Sequence, residues 1–383
     1  MSNLPKGWKL VQLNDIVKFN NGKGHEQYID DNGDYIVVNS KFISTNGEIC
    51  KYSNENLSPL KKGDITLVMS DIPNGRALAK CYLIEEDNKY TLNQRICSLE
   101  VKNENNEFLF YKLNRNQYFL KFNDGVNQTN LRKNEVLECP IELPPLEEQK
   151  KIADILSTVD KKIAFVEENI NATEELKKSL MQKLLTEGIG HTEFKDSELG
   201  RIPKSWEISN IENIFNIFVG RDLKEDRFSK EKTDTHIFPV FSNTVDNNGF
   251  YGYYDYEEFN GSSLTVVGRG IGVGTAFTKN GSYGAIGRLL VLFPQKGIKP
   301  HFYTEYINFK IKIFSESSGI PQLTGAQIKN YKCPIPPLEE QKQIAEILST
   351  VDKKLENLKE KKQSFEELKK GLMQKLLTGE VRV

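Results

Sequence analysis

Side chains able to read the edges of nucleobases are crowded onto turns of this 383-residue chain. NQTNLRKN begins at Asn127, FSNTVDNNGFYGYY at Phe241, VGRGIG at Val267 and SYGAIGR at Ser282. Asn, Gln, Arg and Lys pair with base edges in a duplex groove, while Ser, Tyr and backbone groups hold phosphates. The candidates for that work are Lys41, Arg76, Asn93, Arg95, Asn127, Gln128 and Arg132 in the first half of the chain. In the second half they are Ser242, Asn243, Tyr251, Arg269, Tyr283, Arg288 and Gln322. The alternative for each is local: an Asn or Gly in a turn serves its own backbone, and an exposed Arg is simply solvated.

Other chemistry is missing as a set. His25, His191, His236 and His301 are scattered, with no HExxH pair and no Cys/His cluster. The five cysteines, Cys50, Cys81, Cys97, Cys139 and Cys333, are widely spaced and never CxxC, which predicts reduced, buried thiols and no zinc site. LTVVGRGIGVGTAF, from Leu264, places four glycines after a strand. It lacks the Rossmann spacing, no helix follows, and no Lys-Ser/Thr completes a Walker loop, so Arg269 on a Gly-rich loop is its useful feature. No Asn-Pro-Pro-aromatic motif, S-adenosylmethionine glycine loop or nuclease carboxylate–Lys set is present. The expectation is a chain with no catalytic residue, no metal and no cofactor of its own.

Charge sets a condition. The formal net charge is −1, from 52 Lys+Arg against 53 Asp+Glu. A protein that grips nucleic acid alone carries excess positive charge, because phosphate neutralisation supplies much of the affinity. Here the basic residues must gather on one face, or partners must supply part of the clamp. No charged-then-apolar leader follows Met1 and no apolar run nears 18 residues, so the expectation is a soluble, cytoplasmic protein outside the membrane.

The elements that position the candidates come in two copies. Pro144–Thr186 aligns without a gap on Pro336–Thr378, with 30 of 43 positions identical. LPKGWKLVQLNDIV at Leu4 resembles IPKSWEISNIENIF at Ile202, CPI at Cys139 returns at Cys333, and Gly125-Val126-Asn127-Gln128 faces Gly319-Ile320-Pro321-Gln322. Residues 20–124 and 219–318 show no match. This is a duplicated frame around two different contents.

The repeated stretch reads as a long helix. Pro144-Pro145 and Pro336-Pro337 lead in, Glu147-Glu148 and Glu339-Glu340 put negative charge at the positive end of the dipole, and Gly188 and Gly379 stop it. Ile152, Leu156, Val159, Ile163, Val166 and Ile170 step by four and three, as do Ile344, Leu348, Val351, Leu355 and Leu358. That is a coiled-coil seam. Beyond it the frame slips to steps of four, through Leu176, Leu180, Leu184 and Leu368, Leu372, Leu376. About 40 helical residues span roughly 60 Å and one apolar stripe needs a partner. The copy is that partner, and an antiparallel pair makes the halves pseudo-two-fold related; the alternative is two surface helices, each covering its own domain.

Between the repeated parts, GDYIVVNS, GDITLVMS, SSLTVVGR and RLLVLFP read as short strands. NEFLFYKLNRNQYFLKF and PHFYTEYINFKIKIF read as one aromatic-rich helix each. The fold expected is α+β: two mixed α/β domains, two long helices forming an antiparallel coiled coil, and a pseudo-two-fold internal repeat. The divisions are 1–143 and 200–335 for the domains, 144–187 and 336–379 for the helices, 188–199 for a linker and 380–383 for a tail.

With PPLEEQ at Pro144 and Pro336, helices ending LMQKLLT, and the LPKGW and IPKSW openings, the chain resembles the specificity subunit of Type I restriction-modification enzymes along almost its whole length. The resemblance implies two target-recognition domains at opposite ends of an antiparallel coiled coil. Each reads one half of a split, asymmetric site in double-stranded DNA, with half-site centres about one helical turn, ~34 Å, apart. It implies helices that act as a ruler and dock two methyltransferase subunits, with restriction subunits joining afterwards; S-adenosylmethionine, ATP and Mg²⁺ then belong to the partners. Two alternatives stay open: a coiled-coil adaptor whose globular ends bind proteins, and the recognition module of a combined methyltransferase-nuclease without a separate restriction subunit. Ile170 and Thr173 align with Lys362 and Phe365 in the copy, so the repeat is imperfect.

The repeat generates a direct expectation. Residues 1 to about 190, expressed alone, dimerise through the first long helix, and sedimentation at high concentration reads the mass; a monomer there excludes the helix pairing.

Overall fold

The computed structural model describes residues 4–71, 76–122, 129–310 and 322–383. The chain divides into two compact units, Met1–Glu167 with Lys361–Val383, and Glu168–Glu360. The division cuts both long helices, Leu146–Leu184 and Leu338–Leu376, so each unit holds a globular part and a stretch of each helix.

Within the first unit, Lys369 pairs with Asp160 at 2.5 Å and Lys362 with Glu167 at 2.7 Å. One residue number rises as the other falls, so the two stretches run antiparallel. Within the second unit, Lys177 pairs with Asp352 at 2.6 Å and Lys359 with Glu174 at 2.9 Å, again antiparallel. Lys177–Asp352 and Lys369–Asp160 occupy the same positions of the repeat. One ion pair is thus written twice, once in each unit.

The seam residues lie inward. Ile152, Leu156, Ile344 and Leu348 have no exposed surface, Val159, Val166, Ile170, Val351 and Leu355 are buried, and Ile163 and Leu358 are half-buried. The slip expected beyond Ile170 does not occur. Leu176 and Leu368 face outward, 47% and 49% exposed, while Thr173 is buried. The stripe continues through Thr173, Lys177, Leu180 and Leu184, and in the copy through Lys362, Phe365, Lys369, Leu372 and Leu376, still in steps of three and four. Lysine stems cover the seam and their ammonium groups reach acids on the facing helix, so a search for apolar residues alone loses the frame.

The PPLEEQ motif has a different job for each polar residue. Glu147 and Glu339 are exposed and pair with Lys150 and Lys342 in the first turn, at 2.7 and 2.8 Å. Glu148 and Glu340 are buried, and accept the indole N–H of Trp8 at 3.2 Å and of Trp206 at 2.9 Å. Gln149 and Gln341 are fully buried. Their Oε1 atoms accept the N–H of Asn105 and of Lys299, both at 2.9 Å, and their Nε2 groups donate to Pro144 O and Pro336 O. Asn105 and Lys299 stand just before the helices Asn106–Leu113 and Pro300–Lys310. Each glutamine therefore fastens the aromatic helix of its own domain to the start of a long helix.

The chain that follows each long helix completes the same joint. Arg382 grips Glu148 with two bonds, Nε to Oε1 at 2.5 Å and Nη2 to Oε2 at 2.8 Å, and holds that carboxyl below the ordinary glutamate range. Glu340 instead accepts Ile189 N and faces His191 Nε2, both at 2.8 Å. The turns that bring these groups back need glycine. Gly379 and Gly188 have φ of +71° and +67°, and a Cβ would lie 2.4 Å from Pro5 in one case and 2.2 Å from the Glu340 carboxylate in the other.

The globular parts share one topology. In the first unit a sheet runs in the order Val17–Asn21, Ile96–Val101, Ile65–Val68, Cys81–Leu83, beside a second sheet, Tyr52–Ser53, Tyr35–Val38, Tyr90–Leu92. In the second unit the order is Phe215–Val219, Leu290–Pro294, Ser263–Val266, Ala276–Lys279. Its second sheet is Phe228–Ser229, Phe250–Tyr254, Phe238–Phe241, Ser282–Ala285, Phe259–Asn260. Among the described residues each unit has one parallel strand pair, Tyr35–Val38 with Tyr90–Leu92 and Phe238–Phe241 with Ser282–Ala285. The unmatched sequences therefore keep one strand order, with a short strand added at each edge of the second unit's second sheet, since a pattern of buried positions can be filled by many side chains of suitable size. Ile65–Val68 and Ser263–Val266, each buried along its whole length, are such positions.

The first aromatic-rich stretch is two helices rather than one. Arg115 has φ of +56°, and the Asn116 side chain accepts Tyr118 N at 2.9 Å to start Gln117–Leu120. In the second, the helix is described to Lys310, and residues 311–314 lie outside the described residues.

Removing the joint in the second unit is the test of its weight. Glu340→Ala leaves the Trp206 and Ile189 N–H groups without an acceptor and costs about 3 kcal/mol of unfolding free energy, whereas exposed Glu339→Ala stays within about 0.5 kcal/mol. Chemical denaturation measures both, and equal effects would remove the joint from the account.

Candidate nucleic-acid interface

Three segments converge at one edge of each unit. In the first unit these are the loop that leaves Ile65–Val68, the turn Asn93–Ile96, and the chain leading to the helix Lys133–Leu137. Met69 N donates to Arg95 O at 3.1 Å, Leu131 N to Met69 O at 2.8 Å, and Asn93 N to Val38 O at 3.1 Å. Ser70 and Asn130 are strand partners. In the second unit Leu323 N donates to Gly268 O at 2.8 Å and Ile286 N to Phe241 O at 2.9 Å, and Arg269 is bridged to Gln322. The bridges Lys23–Asn93 and Arg221–Ile286 complete the match. The edge is one frame built twice.

Seven of the fourteen sequence candidates fall on it. Arg76 is exposed on the loop, Arg95 on the turn and Arg132 just ahead of its helix, with Asn93 half-buried between strands. In the second unit Arg269, Arg288 and Gln322 occupy loop, turn and lead-in, all exposed. Asn127 and Gln128 lie outside the described residues. The Gly-rich stretch is the tip of a hairpin, closed by Val267 N to Thr275 O at 2.9 Å and Gly274 N to Val267 O at 2.8 Å. It holds Ile271, 92% exposed, at its end.

Other candidates have different roles. Tyr283 is buried at 1% exposure, with its hydroxyl 2.6 Å from Ser263 Oγ and burial raising its pKa to about 12. It is a core residue, because its strand turns that side chain between two sheets. The Asn243 amide is already used: Oδ1 accepts Gly268 N at 2.8 Å and Nδ2 donates to Gly287 O. Asn243 thus braces the loop that carries Arg269 against the turn that carries Arg288. Ser242 is half-buried, and its N–H donates to Gly249 O at 2.8 Å. Lys41 is exposed on the short helix Ser40–Ser44, the segment that corresponds to Asn243.

Tyr251 lies on the second sheet, stacked on Phe228 with centroids 5.5 Å apart, and the Lys230 ammonium stands 3.5 Å from its ring centroid. Sequence reasoning missed the companion group. Arg227 and Lys224 lie 4.1 and 4.7 Å from the Tyr256 ring, and Arg227 is paired with Asp255 at 2.8 Å. The signal was available, since Lys224, Arg227 and Lys230 punctuate one segment while Tyr251, Tyr253, Tyr254 and Tyr256 crowd the segment that pairs with it. Lys279 was also missed. It is buried, donates to Asn248 O at 2.7 Å and sits 3.5 Å from the Phe241 ring centroid, and burial lowers its pKa to about 8.

Among the described residues no group of three or more His, Cys, Asp or Glu could hold a metal ion, and no helix is long and apolar enough to cross a membrane.

Comparison with known proteins gives one consistent result. The family model described as Type I restriction modification DNA specificity domain matches residues 5–175 and again 203–367. The chain is 28% identical to the Type I restriction enzyme MjaVIII specificity subunit of Methanocaldococcus jannaschii, over 99% of this chain and 94% of that protein. In fold it is similar to a Type-I restriction-modification system S subunit from M. genitalium, with a TM-score of 0.68, 18% identity, and 98% and 97% of the two chains covered. A chain of another type I R-M system matches with a TM-score of 0.57 and 16% identity over 100% of both chains.

Lys279 makes a pH-dependent prediction. Its pKa in the folded state is about 8 against an ordinary 10.5, so across that window the unfolded chain holds a proton that the folded chain has released. Folding stability therefore rises with pH through the window relative to Lys279→Met. Thermal midpoints of both proteins at pH 7.5 and 9.5 read the difference, and a gap that does not change with pH refutes the buried ammonium.

Proposed function

Because this chain belongs to the Type I restriction-modification DNA specificity family, we propose that it is the sequence-reading subunit of a Type I restriction-modification complex. Each unit presents its three-segment edge to one half of a two-part site in double-stranded DNA. Guanidinium and amide groups on that edge meet base edges and phosphates. The observation that carries this reading is the edge itself: one backbone frame, built once in each unit, displaying unlike residues. Ser70 stands where Arg269 does, Ser40 where Asn243 does, and more residues separate Met69 from Ala79 than Gly268 from Gly274. Unlike readers on like frames recognise unlike half-sites, so the whole site is asymmetric.

The paired helices set the length of the unread spacer and dock two methyltransferase subunits, with restriction subunits joining the assembled complex. The chain itself is a reader and performs no catalytic step. S-adenosylmethionine, ATP and Mg²⁺ are handled by the partners. A net charge of −1 suits a subunit whose partners close around the duplex and share the phosphate contacts.

The ruler is testable by length. One heptad inserted into each helix, after Ile163 and after Leu355, adds about 10 Å, or about three base pairs of spacer. Mapping methylated sites in the host genome is expected to return the same two half-sites at the longer separation. A change of bases inside either half-site overturns the ruler, and a complex that methylates without sequence preference overturns the reader.

A further inference from the structure

The strongest unassigned feature is a residue that both units keep in the same place while nearly everything around it differs. The frames correspond residue by residue at the turn between the parallel strand and the main sheet. Asn21 pairs with Cys97 as Val219 pairs with Leu290, and Gly22 N donates to Ile96 O as Gly220 N donates to Leu289 O. Ile96 N closes its turn on Asn93 O, and Leu289 N closes its turn on Ile286 O. The residues between are Gln94-Arg95 and Gly287-Arg288. Arg95 and Arg288 are therefore equivalent, although their regions of sequence do not align.

Both side chains are exposed, and neither guanidinium has a hydrogen-bond or ion-pair partner among the described residues. The turns differ in hand. Gly287 and Arg288 have φ of +66° and +67°, whereas Gln94 and Arg95 lie outside the left-handed region. Arginine stands at Arg288 in a conformation that glycine or asparagine adopts with less strain.

On the DNA-reading function proposed above, we infer that Arg95 and Arg288 each contact a backbone phosphate of their own half-site and carry no base information. Two half-sites of unlike sequence share the phosphodiester backbone and little else, so a side chain common to both readers suits that shared feature. The inverted hand points the same way. A bidentate contact to guanine demands a fixed fork geometry, while a phosphate accepts a cation from many directions. Specificity then rests with the residues that differ between the edges.

The test measures affinity of the full chain, in complex with its methyltransferase, for its selected duplex and for random duplexes between 50 and 200 mM salt. Arg95→Ala and Arg288→Ala are each expected to reduce the slope of log affinity against log salt by about 1, and the double variant by about 2. Each weakens all duplexes by the same factor and leaves the selected sequence unchanged, and Arg95→Lys and Arg288→Lys restore most of the slope. Lost preference at one base pair, an unchanged slope, or lysine variants that behave like alanine would overturn the phosphate contact. Wild-type complex that selects no duplex overturns the DNA-reading function itself. Normal wild-type selection with unchanged variant slopes overturns only this inference.

Discussion

A buried carboxylate and a buried amide at the first turn of each long helix hold the rest of the architecture in place. Glu148 and Glu340 accept indole N–H groups from Trp8 and Trp206, and Gln149 and Gln341 tie down the start of each aromatic helix. Buried polar groups are costly when unpaired, so each fixes its partners with little tolerance for another arrangement. That is a physical reason for the chain to repeat PPLEEQ letter for letter while the domains it anchors diverge. The joint depends on hydrogen-bond geometry, which few residue types satisfy. A domain core depends on volume and pattern, which many do.

The same contrast runs through the helices. Their apolar seam is interrupted by Lys177, Lys362 and Lys369, each reaching an acid on the facing helix. A stripe of leucine alone would pair in several registers; a lysine that must meet an acid favours one. The specific pairing, more than added stability, is what such partly exposed ion pairs contribute. On the globular side the frame is again shared and the display differs, with three segments locked by backbone hydrogen bonds and their side chains left free to vary.

Exposure of a candidate was legible in the sequence where it follows from a turn, and the local use of a polar group was not. Arg76, Arg95, Arg132, Arg269, Arg288 and Gln322 all reach the common edge as exposed residues. Asn243 has the donor and acceptor a base reader needs, but those groups are equally suited to bracing Gly268 and Gly287, and residue type cannot distinguish the two uses. Tyr283 sits in a run of glycines that resembles a turn, yet Ser282–Ala285 is a strand and its side chain fills the core. Lys279 gave no signal at all, because a lone lysine in a strand is ordinarily solvated.

The duplication, the long helices with their proline starts and glycine stops, and the family were determined by the sequence itself, because caps, dipole charges and heptad spacing are local rules that act within a few residues. The common topology of two unmatched domains, the parallel strand pairs, the lysine-bearing continuation of the seam and the equivalence of Arg95 with Arg288 were decided only by tertiary structure. Each depends on which distant strand or helix supplies the neighbour. Pairing between residues far apart in the chain is set by the burial of the whole domain, not by any short stretch of it.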